Sequence, residues 1–152
     1  MSLLEALAAG TSRPSNLLVV DGALPPRHVA QRALRLLSEG ESEEWCSTFF
    51  MTLEPEGIVV GACGFKGPPS QGQVEVGYGV APSMRKQGYA SAALRSLLNI
   101  AFCSGEVTEV LAEVSPSNEA SSRVVEKLGF VSTGTRVDEE GEVVVQWVAR
   151  SE

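Results

Sequence analysis

Arg85-Lys86-Gln87-Gly88-Tyr89-Ala90 sets two cations and a glycine at the start of an apolar-periodic segment. That junction can bind an anion. The first N–H groups of a helix have no intrahelical partner, and the macrodipole adds partial positive charge there. Gly88, with no Cβ, lets a ligand come close to the backbone. A diphosphate suits this combination. The same residues also fit an ordinary strand–loop–helix connection whose Arg85 and Lys86 face water, and composition alone leaves both readings open. Two other nucleotide signatures are excluded. A dinucleotide fingerprint would need glycine where Pro82 follows Gly77 and Gly79, and no Gly-Lys-Ser/Thr phosphate loop occurs anywhere in the chain.

The elements that must position this junction are legible on either side of it. Val74, Val76, Tyr78 and Val80 alternate with Glu75, Gly77 and Gly79, which predicts a strand that Pro82 stops. Ala90, Ala93, Leu94, Leu97, Leu98 and Ala101 then recur at the spacing of one helix stripe. Thr108 to Val114 alternates again. A strand–helix–strand succession of this length predicts a right-handed crossover between two parallel strands. Upstream, Leu17 to Val20 reads as a short first strand and Pro25-Pro26 opens a helix that Gly40 stops, with Val29, Ala33, Leu36 and Leu37 on its buried face. Glu39 to Glu44 reads as an exposed acidic connection. Thr48–Leu53 and Ile58–Phe65 predict a hairpin around the turn Glu54-Pro55-Glu56-Gly57. Downstream, Ser115-Pro116-Ser117 is expected to cap a helix with Asn118 and Glu119 in its first turn, and a last hairpin joins Val131–Val137 to Val143–Val148. The class is α+β, in one domain over residues 1–152.

Composition narrows the function. The chain has 152 residues, 43% hydrophobic and 20% charged, which fits one globular core and no disordered tract. No apolar run approaches the roughly 20 residues of a membrane span, and MSLLEALAAG is a poor secretory signal. Cys46, Cys63 and Cys103 lack metal spacing and read as reduced thiols of a cytoplasmic protein. A catalytic cysteine is disfavoured because the single histidine, His28, lies far upstream. A net charge of −7 disfavours nucleic acid and favours cationic partners such as amines.

Arg85-Lys86-Gln87-Gly88-Tyr89-Ala90 resembles the acyl-CoA motif of the GCN5-related N-acetyltransferase (GNAT) family. The surrounding GYGVAPSMRKQGYASAAL and the later SPSNEASSRVVEKLGF are similar to its ribosomal-protein N-acetyltransferase (RimJ/RimL-like) branch. The resemblance runs from about Gly57 to Val131. It implies a mixed, mostly antiparallel sheet whose parallel pair splays to admit the pantetheine arm, flanked by helices. It implies acetyl-CoA as cofactor, held by Arg85, Lys86, Gln87, Gly88, Tyr89 and Ala90, with Asn118 on the arm and the Val80 N–H on the thioester carbonyl. It implies no metal. Glu75 matches a strand glutamate that serves as base in part of the family, and Ser121 a serine proposed as proton donor to the thiolate. On the residues alone, Glu75 fits a solvated strand glutamate equally well, and Asn118 and Ser121 fit ordinary helix-start residues.

The chain departs from the family in two places. Many relatives carry a tyrosine in the helix after the parallel strand, whereas here the two tyrosines are Tyr78 and Tyr89. The opening strand with paired arginines survives only as an echo in Arg13-Pro14-Ser15-Asn16-Leu17-Leu18. The activity implied is acetyl transfer to a primary amine, by direct attack in a ternary complex. The acceptor would be a protein N-terminus or a small amine such as a polyamine or an aminoglycoside, and the protein a monomer or homodimer. The alternative is an acyl-CoA-binding or sensor module without catalysis.

Overall fold

The computed structural model describes residues 19–53 and 57–151. The Arg13–Leu18 echo, the start of the first-strand reading and residues 54–56 of the expected turn lie outside them. Six strands form one sheet in the order β1-β2-β3-β4-β6-β5. Their bounds are β1 Thr48–Leu53, β2 Ile58–Phe65, β3 Gln73–Val80, β4 Glu109–Val114, β5 Val131–Val137 and β6 Val143–Arg150. β1, β2 and β3 make the antiparallel meander the sequence predicts. β3 and β4 pair in parallel, as the crossover requires.

Sequence order hides the position of the last strand, which inserts between β4 and β5. A strand paired on both edges sits in the interior and must be apolar. β6 supplies Val144, Val145, Trp147, Val148 and Ala149, whereas every residue of β5 (Val-Ser-Thr-Gly-Thr-Arg-Val) is exposed. β6 grips β4 over six residue pairs, from Glu109↔Arg150 to Val114↔Val145.

The helices are α1 Arg27–Ser38, α2 Glu43–Cys46, α3 Tyr89–Cys103 and α4 Glu119–Lys127, and a 3-10 turn over Pro82–Met84 precedes α3. α3 lays Leu94, Leu97 and Ala101 on the sheet, where they meet Val74, Val76, Val110, Ala112 and Val125 in the main core. Each large side chain fully buried there contributes roughly 1.5–3 kcal/mol. The α1 face differs from expectation. Ala30 and Ala33 are buried, while Val29, Leu36 and Leu37 are half-buried, so α1 lies at the rim of the core rather than inside it. The acidic connection also contains the single turn α2, which drives Trp45 edge-on against Phe65 with ring centroids 4.9 Å apart. Of the expected first strand, the described part is one parallel bridge, Val19↔Val59.

Two glycines of the central strands have opposite surroundings. A Cβ on Gly61 would stand 2.5 Å from the Gly79 carbonyl oxygen, so β2 and β3 approach too closely there for any side chain. A Cβ on Gly79 would meet nothing within 4 Å. Gly61→Ala should therefore cost about 1–3 kcal/mol of unfolding free energy, the usual range for overpacking. Gly79→Ala should stay within about 0.5 kcal/mol of the parent, as unconstrained substitutions do. Urea denaturation of both variants checks the contrast.

Candidate active site

The parallel pairing of β3 with β4 runs from Gln73↔Glu109 to Val76↔Ala112 and stops. Beyond it, Gly77–Val80 stays on β2 and Glu113–Val114 stays on β6, so the two strands part. The antiparallel ladder decides which backbone groups face that gap. Lys66 N–H donates to the Glu75 carbonyl and Ala81 N–H to the Val60 carbonyl, both at 2.8 Å. Odd-numbered β3 residues therefore bond to β2, and the alternation turns the N–H groups of Tyr78 and Val80 toward the gap. Val80 N–H, the expected donor, is one of these two.

The far side of the gap is the start of α4. Asn118 is the N-cap itself, rather than a first-turn residue behind a Ser115–Ser117 cap, and its Oδ1 accepts the Ser121 N–H at 3.1 Å. That bond uses the amide oxygen and leaves the amide NH2 to donate. Ser121 Oγ lies 2.6 Å from the Tyr78 hydroxyl, which is also 3.4 Å from the Ser121 carbonyl oxygen. Tyr78 thus bridges β3 to α4 across the gap. Burial raises its pKa, partly offset by the Ser121 hydrogen bond, so the phenol keeps its proton. The sequence pattern set Tyr78 in one row with Val74, Val76 and Val80. Its hydroxyl was the overlooked signal, because a phenol in an apolar row needs a polar partner when buried.

A cavity of about 340 Å³ opens here, bounded by Gly77–Gly79, Ala112–Ser115, Asn118 and Ser121, and on the opposite wall by α1. Lys66 and Glu113 also line it. Glu75 occupies the expected strand face, but its Oε2 lies 2.7 Å from Lys66 Nζ, and Lys66 rather than Glu75 reaches the cavity wall. The reading that Glu75 looks directly into the gap is corrected accordingly. Glu113 is held by Arg136 through two guanidinium nitrogens, one of them at 2.7 Å, and by Gln146 Nε2 at 3.1 Å. Those Arg136 bonds hold its carboxyl below the usual range, against a contrary push from burial and with help from Gln146 and Lys66. Cys63 lines the cavity too, but burial pushes its thiol up to about 11, so it offers no thiolate at neutral pH.

The basic segment Arg85–Ala90 lies outside this lining and runs into the first turn of α3. Gly88 is the N-cap, left-handed at φ 83°, and a Cβ there would meet nothing within 4 Å. The first turn of α3 has no side-chain cap and no acidic residue, in contrast to α4 with Asn118 and Glu119. Lys86 is also left-handed, at φ 65°. Tyr89 Oη donates to Gln87 Oε1 at 3.2 Å, and Arg85 Nε to the Val80 carbonyl at 3.4 Å, which ties the loop to the strand end. Among the described residues, no three acidic, histidine or cysteine side chains are grouped to hold a metal, and no helix is long and apolar enough to cross a membrane.

Residues 10–131 match the family model described as the acetyltransferase (GNAT) domain. The chain is similar to the uncharacterized N-acetyltransferase YjdG of Bacillus subtilis (strain 168), at 35% identity over 74 residues, or 48% of this chain and 44% of that protein. It thus spans less than half the length of that curated relative. Among solved structures, the ribosomal-protein-S5-alanine acetyltransferase from Vibrio fischeri superposes with a TM-score of 0.67 at 16% identity, covering 83% of this chain and 70% of that one. Mycobacterium smegmatis RimJ in complex with CoA-disulfide gives 0.63 at 22% identity, over 82% and 60%. At these identities the structures show a shared fold.

The Glu113 clamp predicts a pH dependence. Its folded pKa is depressed, so the clamp stabilises the fold above the ordinary carboxylate range, near 4.3, and that stability is lost as pH falls through the lower folded value. Glu113→Gln should lower the melting midpoint at pH 7 by a few degrees and flatten its decline between about pH 5 and pH 3. Thermal melts of both proteins across that range check it.

Proposed function

The chain belongs to the GNAT acetyltransferase family, and from that membership we propose that it transfers an acetyl group from acetyl-CoA to a primary amine, by direct attack in a ternary complex. The observation that carries this reading is the gap between β3 and β4, with an uncapped helix start on one side and the Tyr78–Ser121 pair across it. The proposed unit is one domain over residues 1–152, acting in the cytoplasm as a monomer or homodimer without nucleic acid. The net charge of −7 supports that last point.

The residues fit acetyl-CoA. The uncapped N–H groups at the start of α3, the open space at Gly88 and the cations Arg85 and Lys86 suit a diphosphate, with Gln87, Tyr89 and Ala90 completing the loop. An amide-bearing arm along the gap would take the N–H group of Tyr78 that β4 does not, and the free amide NH2 of Asn118. When bound, the cofactor supplies an acetyl thioester. The Val80 N–H polarises the thioester carbonyl as charge develops on its oxygen. Glu75, on the sheet face of Gly77 and Gly79, takes the amine's proton through water, because Lys66 stands at the cavity wall. Ser121 hands its hydroxyl proton toward the departing sulfur, with Tyr78 hydrogen-bonded behind it.

Two results test this reading. Arg85→Ala with Lys86→Ala should weaken CoA binding at least about tenfold, since charge-assisted hydrogen bonds contribute roughly 1.5–3 kcal/mol each. Calorimetry showing parental affinity would remove the loop from the site. For the chemistry, thiol release from acetyl-CoA is followed with primary amines in single turnover. Ser121→Ala and Tyr78→Phe should each slow it about tenfold, near the low end for a positioned acid, while Ser122→Ala should not. CoA binding with no thiol release from the parent protein would favour the binding-module alternative.

A further inference from the structure

The acceptor wall of the cavity differs in sign from the rest of the surface. α1 turns His28, Arg32 and Leu36, one helix face, toward the cavity. The other charged residues of the lining are Lys66 and Glu113. Each of these is already matched, Lys66 by Glu75 and Glu113 by Arg136. Arg32, half-buried, has no hydrogen-bond or ion-pair partner among the described residues. Once the pairs are cancelled, the unbalanced charge of the lining is the Arg32 cation.

We propose that the acceptor is a primary amine carrying a carboxylate close to it, and that Arg32 holds this carboxylate while the amine faces the gap. This deepens the acetyltransferase reading and rests on it for the identity of the second substrate. The guanidinium is a planar fork of donors that matches a carboxylate through two parallel bonds, and a concave, partly buried wall strengthens such a pair. His28, on the same helix face, adds a ring nitrogen to that end of the cavity. A polyamine or an aminoglycoside would bring further cations to a lining with no unpaired carboxylate, and like charges at close range disfavour binding. The overall charge of −7 would steer such cations to the molecule but offers them nothing at this wall.

The carboxylate could be the acceptor's own α-carboxylate or an acidic side chain beside a peptide N-terminus, and paired substrates separate the two. Thiol release from acetyl-CoA is measured with Ala-Glu-amide against Ala-Lys-amide, and with alanine against alaninamide. The carboxylated member of at least one pair should show kcat/KM about tenfold or more above its mate, as expected for a charge-assisted bidentate contact. Arg32→Gln should collapse that preference and Arg32→Lys restore part of it, whereas Arg95→Gln, on the exposed side of α3, should leave it intact. Equal rates within both pairs, or a preference for the lysyl peptide, would overturn the proposal. If no amine is turned over, the acetyl-transfer reading fails and a binding measurement decides the rest. The acetylated products Ac-Ala-Glu-amide, Ac-Ala-Lys-amide, N-acetylalanine and N-acetylalaninamide are titrated into CoA-bound protein. Tighter binding of a carboxylated product, lost in Arg32→Gln, supports the carboxylate site, and equal binding within both pairs overturns it.

Discussion

The end of parallel pairing at Val76↔Ala112 is the constraint on which the rest of the molecule depends. A buried backbone donor or acceptor left without a partner costs about 1–3 kcal/mol, so parted strands in mid-sheet are not a neutral arrangement. The structure tolerates them because each strand is held on its outer edge. β2 pairs with β3 as far as Val80, and β6 pairs with β4 as far as Val114. The insertion of β6 between β4 and β5 is what makes the second grip possible. The N–H groups of Tyr78 and Val80, freed by the parting, are then fixed in direction by the ladder on the other side. A ligand with amides of its own can complete the interrupted sheet, and recognition by backbone asks little of side-chain identity along the gap.

Side chains take over at the two ends. At α3, the absence of a cap and of any acidic residue leaves a positive helix start exposed, reinforced by Arg85 and Lys86. At α4, Asn118 caps the helix and so spends its oxygen locally, but the same bond sets the amide plane and presents Ser121 to Tyr78. The polar face of the sheet is arranged as closed pairs, Lys66 with Glu75, Glu113 with Arg136 and Glu109 with Arg150. These pairs lock the side chains without leaving net charge, which keeps the local field near the cavity in the hands of the few groups that remain unmatched.

Much of this was legible in the chain. The period change between Val80 and Ala90 marks the central strand and helix, and the crossover rule makes β3 and β4 parallel. The six-residue motif at Arg85 marks the helix start, and Asn118 and Ser121 fall together as its downstream companions. What escaped were the side-chain pairings across strands and the order of the last two strands. Spacing alone cannot say that Lys66 sits cross-strand from Glu75, because their separation in sequence depends on the length of a turn. Nor can it bring Arg136 from an edge strand to Glu113, since the order β4-β6-β5 reverses the chain order. Tyr78 was read by its ring and not by its hydroxyl. Arg32 carries no signal in the sequence pattern, because only the cavity reveals which side of α1 faces it.

These pairings bear on how an amine could react at such a site. An amine near neutral pH is mostly protonated and cannot attack a carbonyl until it loses a proton. Glu75 is engaged by Lys66 at 2.7 Å and does not line the cavity, so any proton passing to it would travel through an intervening water. Neighbouring positive charge works from the other side of the equilibrium. A cation within a few ångströms disfavours the ammonium form and lowers the amine's pKa. With the carboxylates of Glu75 and Glu113 each paired, Arg32 is the unmatched charge of the cavity lining among the described residues, and its field would favour the neutral, nucleophilic form of an amine bound nearby.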